Sequence, residues 1–271
     1  MARAAHRLLS RRLLLSCAAG LLVPQPADAL ALLRVAAASD VRGPLEELRA
    51  TFELRQRPKD PKLLGGVGIS VTYGSTGNLA RQIEQGAPFL LFLAADERHA
   101  LELAAKGLTA GEGFVYATGR LSLIVPKARD VLGGQGLAGL TAAIADGRIM
   151  RFAIANPEHA PYGERAREVL QRNGLWALVQ GRIVLGENVA QAAQMVATGA
   201  ADAGIVARSL TKTVELAAAT IAADVAADQH SALRQRVVLL RGAAGFARGF
   251  YDFLQSAEAR AVFVAYGLDQ P

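Results

Sequence analysis

The chain has 271 residues, 52% of them hydrophobic and 20% charged, with a formal net charge of +6. That length supports one large or two small domains with a real core, and the composition excludes a disordered polymer. The positive balance is no signature of nucleic-acid binding, because no Lys/Arg run with interleaved aromatics occurs and half of the excess lies in the first 29 residues.

Arg3, Arg7, Arg11 and Arg12 precede an apolar run from Leu13 to Val23, and Ala27-Asp28-Ala29 is a small-x-small site. This is the grammar of a secretory signal peptide over residues 1–29, cleaved after Ala29. The run is too short to span a bilayer and no later run qualifies. Removing it takes away four arginines and one aspartate, which lowers the net charge from +6 to +3. Ser10-Arg11-Arg12-Leu13 leaves the ordinary and twin-arginine export routes both open. The only cysteine, Cys17, falls inside the signal, so the mature chain is expected to carry no disulfide and no thiol chemistry. Cleavage before Cys17 would leave the signal almost no apolar core, which argues against a lipid anchor.

Leu32 to Ala38 reads as a strand, and Ser39-Asp40 after it as a helix N-cap for Leu45, Leu48 and Phe52 at helical spacing. Arg55 to Gly66 is polar and rich in Pro, Gly and Lys, hence a surface loop. Val67 to Tyr73 is the second strand, followed by Gly74-Ser75-Thr76-Gly77-Asn78 and a short helix stopped by Gly86. Phe89 to Ala94 is the third, with Asp96-Glu97 opening a helix that Gly107 ends. Arg120 to Val125 is expected to cross into a second lobe. The stretch from Phe152 reads as a buried strand, a loop stiffened by Pro157 and Pro161, and a helix that Gly174 terminates. Gly163 at that helix entrance would let backbone amides approach a ligand. Arg182 to Leu185 is a strand leading through Gly186-Glu187-Asn188-Val189 into a helix with Val189, Ala192, Ala193 and Val196 on its buried stripe and Gly199 at its end. Ala203 to Ala207 is a further strand. Arg236 to Leu240 returns the chain to the first lobe, closed by a C-terminal helix carrying Phe246, Phe250, Phe253 and Val264.

Alternating strands and helices argue for mostly parallel sheets covered on both faces. Such sheets bind ligands at the carboxyl ends of their strands. Four strand ends carry candidate groups: Ser39-Asp40, Ser75-Thr76, Tyr162 and Asn188-Val189. Two come from each expected lobe, which suits a cleft.

Taken in order, these pieces resemble the periplasmic molybdate-binding proteins, the solute receptors of molybdate ABC transporters. The matching segments are Val35 to Asp40, Gly74 to Ile83, Gly86-Ala87-Pro88 with Ala94 to Glu97, Asn156 to Gly163, Gly186 to Val189 and Gly199 to Asp202, which together span most of the mature chain. The resemblance implies a two-lobed α/β fold of the type II periplasmic-binding-protein class. Its first lobe would comprise residues 30–118 and 229–271, and its second residues 119–228. It implies a periplasmic protein that binds molybdate or tungstate, closes by hinge motion and delivers the anion to an inner-membrane ABC permease, with exposed charge on both lobes as the docking surface. No catalysis, no cofactor, no metal-cation site and no nucleic-acid partner are implied, and a monomer is expected.

By position, the resemblance assigns molybdate binding to Ser39, Thr76, Tyr162 and Val189, the last through its backbone N–H, with Asp40, Ser75 and Asn188 as additional candidates. Some members place a tyrosine where this chain has Ala207; Tyr162 is then expected to supply the hydroxyl. Others carry a neutral residue in place of Asp40, whose side chain is expected to cap the helix while its amide faces the ligand.

Molybdate is a tetrahedral dianion whose four oxygens only accept hydrogen bonds, so a site of donors alone matches it. A protonated oxyanion would lack an acceptor there, at roughly 1–3 kcal/mol per unsatisfied group. The rival reading is a receptor for sulfate, phosphate or arsenate, in which an in-pocket Asp40 would be the acceptor that a protonated anion needs. The enzyme reading, a hydrolase, is weaker. Gly74-Ser75-Thr76-Gly77 is not a nucleophile elbow, and His6, His99, His159 and His230 imply no Asp/His pairing by spacing.

Overall fold

The computed structural model describes residues 32–56 and 68–271. The expected signal peptide, Cys17, and positions 57–66 of the expected surface loop lie outside the described residues, whereas Arg55 and Gln56 are the end of a helix. From the first described residue the chain forms β1 (Leu32–Ala38), α1 (Arg42–Gln56), β2 (Gly68–Gly74), α2 (Thr76–Glu84), β3 (Leu91–Ala94), α3 (Glu97–Ala105) and β4 (Phe114–Gly119). There follow β5 (Leu121–Pro126), α4 (Leu140–Ala145), β6 (Phe152–Ala155), α5 (Pro161–Arg172), α6 (Trp176–Val179), β7 (Ile183–Gly186), α7 (Val189–Ala197) and β8 (Ala203–Ala207). The chain closes with α8 (Val214–Ala219), β9 (Thr220–Asp224), β10 (Leu233–Leu239), α9 (Phe246–Phe253) and α10 (Ala257–Ala265).

The strands form two five-stranded sheets of the same design, β2-β1-β3-β10-β4 and β7-β6-β8-β5-β9. In the first, β1 pairs in parallel with β2 and β3, and β10 runs antiparallel to β3 and β4. In the second, β6 pairs in parallel with β7 and β8, and β5 runs antiparallel to β8 and β9. Each sheet is therefore mixed but mostly parallel, with four strands running one way and one, β10 or β5, against them. The physical reason is the crossing: β4 passes directly into β5, and β10 returns from the second sheet, so both enter against the direction of the helix-connected strands.

Parallel neighbours need crossover connections, which α1 and α2 supply in one lobe and α5 and α7 in the other. Each helix buries the stripe its sequence spacing marks: Leu45, Leu48 and Phe52 in α1, and Val189, Ala192, Ala193 and Val196 in α7. The helices before Gly86, Gly107, Gly174 and Gly199 end where the chain turns into positive φ, at 87°, 68°, 66° and 75°. One core fills the second lobe, and two line the opposite faces of the first sheet. Ala38 and Ala95, at the ends of first-lobe strands, pack with the second-lobe core.

Three features differ from the sequence expectation. β4, α4, α6, α8 and β9 are not anticipated from the sequence: periodicity over four to six residues is weak, although the equally short β3, β6, β7 and β8 are legible as apolar runs followed by turn residues. The C-terminal helix is two helices, broken before Ser256, whose side chain caps α10 by accepting from the Ala259 amide. Val264 is 44% exposed, and the aromatic packing rests on Phe250, with Phe52 and Phe253, and on Phe263 against Tyr116. Replacing Ser256 with Ala is expected to lower stability by about 1 kcal/mol in urea titration, the usual worth of an N-cap.

Candidate functional site

Each sheet ends, on its carboxyl side, in helix entrances that face the other sheet. β1 runs out at Ala38 into a single 3-10 turn, Ser39–Val41, before α1 begins. β2 ends at Gly74 and α2 begins at once, with Ser75 as its N-cap. Across the cleft, Ala160 caps α5 with Pro161 in its first turn, and Asn188 caps α7. Helix entrances leave backbone N–H groups unpaired and carry the positive end of the dipole, so their convergence makes a site for negative charge.

They meet around a small void of about 10 Å³ lined by Ser39, Asp40, Ser75, Thr76, Tyr162 and Val189, with Ala38, Gly74, Ala95, Ala160 and Pro161 completing the wall. That is about the room one water needs, far below the roughly 300–1,000 Å³ of a drug-sized site, so the walls stand nearly in contact. Among the lining residues there is no lysine or arginine, so positive potential comes from backbone alone. Among the described residues no cluster of His, Cys, Asp or Glu could hold a metal cation.

The hydroxyls are set by what they accept. Thr76 Oγ1 accepts from the Ala95 amide at 3.0 Å, and Ser39 Oγ accepts from the Ala190 amide at 3.3 Å. Each O–H proton is thus left to donate elsewhere, and both residues line the void. Ser75 Oγ shares a hydrogen bond of 2.9 Å with His159 Nδ1 from the opposite lobe. Burial holds the His159 imidazole below its usual pKa, which suits a neutral brace between lobes. Val189 is buried at the first position of α7, where an amide has no partner within the helix. Asn188 is placed differently: its side-chain oxygen accepts from the Ala190 and Gln191 amides, and it lines the larger groove beside the void.

Asp40 corrects an expectation. Its side chain caps no helix, the residue at that cap being Ala38. Instead Oδ2 accepts from the Tyr162 hydroxyl at 3.0 Å and from the Gln235 amide at 2.5 Å, while Oδ1 has no partner. The 3-10 turn is the reason: it rotates the side chain toward the opposite lobe, where Tyr162 supplies a donor. Burial, only partly offset by these bonds, raises the Asp40 pKa to about 6. The Tyr162 hydroxyl therefore has its one proton engaged by Asp40 and also accepts from Gln235 at 3.0 Å. What it leaves for a ligand is its backbone N–H, in the first turn of α5.

Gly163 also has another role than the sequence suggests. A Cβ there would lie 2.1 Å from the Ala155 carbonyl oxygen, so the glycine lets α5 sit against the end of β6. Gln235 is the residue that sequence reasoning misses. A fully buried glutamine between the two arginines of β10 is a signal only once its partners are known. The lobes also meet through the Gly77 amide, which donates to the His159 carbonyl at 2.9 Å, and through Arg98 with Glu164 at 2.7 Å.

Residues 33–269 match the family model described as bacterial extracellular solute-binding protein. The molybdate-binding protein ModA of Azotobacter vinelandii is 35% identical over 259 residues, 94% of this chain and 96% of that one. ModA of Rhodobacter capsulatus is 31% identical over 237 residues, 86% of each chain. The solved structure of the Azotobacter vinelandii periplasmic molybdate-binding protein superposes with a TM-score of 0.76 at 30% identity, covering 88% of this chain and 99% of that one. Two lobes meet around a small void ringed by helix entrances, and the chain belongs to the family of bacterial extracellular solute-binding proteins.

Proposed function

We propose that this protein binds molybdate, and tungstate with it, as the receptor that hands the anion to an ABC permease. The observation that carries the reading is the convergence of four strand ends, two from each sheet, on a small void without a lysine or arginine in its wall. Ser39 and Thr76 donate through their hydroxyls, and Val189 and Tyr162 through their backbone amides. Ser75 contributes to the same wall and to the brace with His159, and Asn188 holds the entrance of α7 in place. Each dipole end contributes ~0.3–1 kcal/mol at a surface and up to ~2 when partly buried, so several together hold a dianion without lysine or arginine. The anion is cargo, and the chain needs no cofactor.

Residues 30–118 with 229–271 move against residues 119–228, hinged where β4 passes into β5 and β9 into β10, and the closed form is what the permease recognises. The protein acts as a monomer in the periplasm, exported by the signal at residues 1–29. Sequence relatives at 31–35% identity that carry the molybdate name support the ligand.

Asp40 in the wall favours one second reading. A carboxylate oxygen there would accept from hydrogen phosphate or arsenate. Melting curves of the mature protein against molybdate, tungstate, sulfate and phosphate separate the two. A ligand at 100 times its dissociation constant stabilises by about 2.7 kcal/mol, a readable shift. Shifts with molybdate and tungstate alone support the proposal; a shift with phosphate reassigns the ligand, and none with any anion removes the receptor reading.

Ser39→Ala provides a local check. It deletes one donor to a charged acceptor, worth about 1.5–3 kcal/mol, so molybdate affinity should fall about tenfold to 100-fold. Asn188 still accepts from the Ala190 amide at 3.1 Å, so the melting point without ligand should hardly change. Equal affinity in calorimetry would remove Ser39 from the site.

A further inference from the structure

Two buried atoms of this network have no partner among the described residues, Asp40 Oδ1 and Gln235 Oε1, and of the two residues only Asp40 lines the void. Asp40 is 1% exposed and lines the void, and Oδ1 has no hydrogen-bond partner among the described residues. Its sister oxygen is amply served, with Tyr162 and Gln235 both donating to Oδ2. An ionised carboxylate spreads its charge over both oxygens, and a buried one needs donors on both. A neutral carboxyl fits the asymmetry better. Its carbonyl oxygen takes the two donors, and its hydroxyl oxygen is left with a proton to give.

We propose that Asp40 is a ligand-binding residue in its neutral acid form, its Oδ1–H donating to an oxygen of the bound oxyanion, so that binding at neutral pH takes up one proton. The inference rests on the oxyanion reading of this site. It completes that reading, because with Asp40 protonated the wall is made of donors only. A fully deprotonated oxyanion is then matched at every oxygen, and hydrogen phosphate finds no acceptor for its own proton.

The surroundings agree. Burial is the largest influence on Asp40, ahead of the Gln235 and Tyr162 bonds and a smaller pull from its own backbone N–H, and raises its pKa to about 6. Tyr162 on α5 and Tyr116 on β4 face it, both held well above the usual tyrosine value by burial first, and so neutral. Gln235 on β10 is uncharged, and Ser209, after β8, donates to the Asp40 carbonyl at 2.8 Å. His159 is held below its usual pKa by burial, but a dianion would raise its pKa too, so it is the competing site of proton uptake, and uptake that persists in Asp40→Asn would belong to it. A dianion against Asp40 raises its pKa further, since like charges disfavour ionisation.

The test is calorimetry with sodium molybdate in two buffers of different ionisation heat at about pH 7.5, with affinities followed from about pH 6.5 to about 8.5. Wild type should take up close to one proton per anion and weaken about tenfold per pH unit. Asp40→Asn keeps an acceptor for Tyr162 and Gln235 and an N–H donor for the void. It should show a flat profile and bind molybdate more tightly than wild type at the upper end. Wild-type binding without proton uptake overturns the proposal, and this arm stands even if the variant folds poorly. Phosphate binding in preference to molybdate, lost in Asp40→Asn, also overturns it, since Asp40 would then be accepting. No heat with any anion in either protein means that the oxyanion reading itself has failed, and the inference falls with it.

Discussion

Replacing Gly77 with Ala is expected to weaken molybdate binding about fivefold to 150-fold while leaving the unliganded protein as stable as before or slightly more so. Gly77 lies in the first turn of α2, where its backbone meets the His159 backbone of the other lobe. A Cβ there would stand 2.8 Å from the His159 carbonyl oxygen and 3.2 Å from its Cα, with His99 Nε2 at 3.1 Å. Backbone cannot swing aside as a side-chain tip can, so closure would carry an overpacking strain of about 1–3 kcal/mol. The clash exists only when the lobes meet. With them apart, alanine is the better helix former by about 1 kcal/mol. Calorimetry and ligand-free melting, measured together, check this. Unchanged affinity would mean that the bound form does not bring α2 and the 156–160 loop this close.

With the lobes together, as in this structure, Asp40→Asn should raise stability at pH 7.5 by about 3 kcal/mol, and by almost nothing near pH 4; a ligand-free protein that opens should gain less. Burial raises the folded-state pKa of Asp40 from its ordinary value of 3.8 to about 6. Between those values the folded protein holds a proton that the unfolded chain has released. Stability therefore falls as pH rises through that window and stays low above it. A shift of about two units corresponds to about 3 kcal/mol. Asparagine has no charge to bury, so the difference between variant and wild type should open between pH 4 and 6. For a chain of this size that is roughly 6–12 °C in melting temperature. A difference independent of pH would mean that Asp40 is not ionising in the folded protein over this range. Saturating molybdate should narrow the gap from the wild-type side only as far as its weaker binding at that pH allows.

The balance between burial and binding explains why such a residue is tolerated. A receptor's empty cleft is a place where stability can be given up, provided that the ligand restores it. The same logic fits Gly77, where a poorer helix former permits closer approach of two lobes. In both cases local stability is lower than the fold could reach, and the deficit sits where the solute binds.

What the sequence by itself determined is mostly local. Helix stripes such as Val189, Ala192, Ala193 and Val196, and stops such as Gly86 and Gly174, are legible because periodicity and positive φ are properties of neighbouring residues. The candidate loops at the ends of β1, β2, β6 and β7 were legible for the same reason, since a strand running into a hydroxyl or proline turn and then a helix is a local pattern. Tertiary structure alone decided the rest. The direction of β5 and β10 depends on which sheet each joins, and nothing in their own residues carries that. The break before α10 hid because the phenylalanines on both sides of it look like one continuous apolar face. Asp40 shows the limit most clearly. Next to a helix entrance, an aspartate reads as a cap, but a 3-10 turn and two donors from residues 122 and 195 positions away turn it into the wall of the cleft. A side chain's partner in space is set by the whole chain's path, so the chemistry of this site became readable only when both lobes were in view.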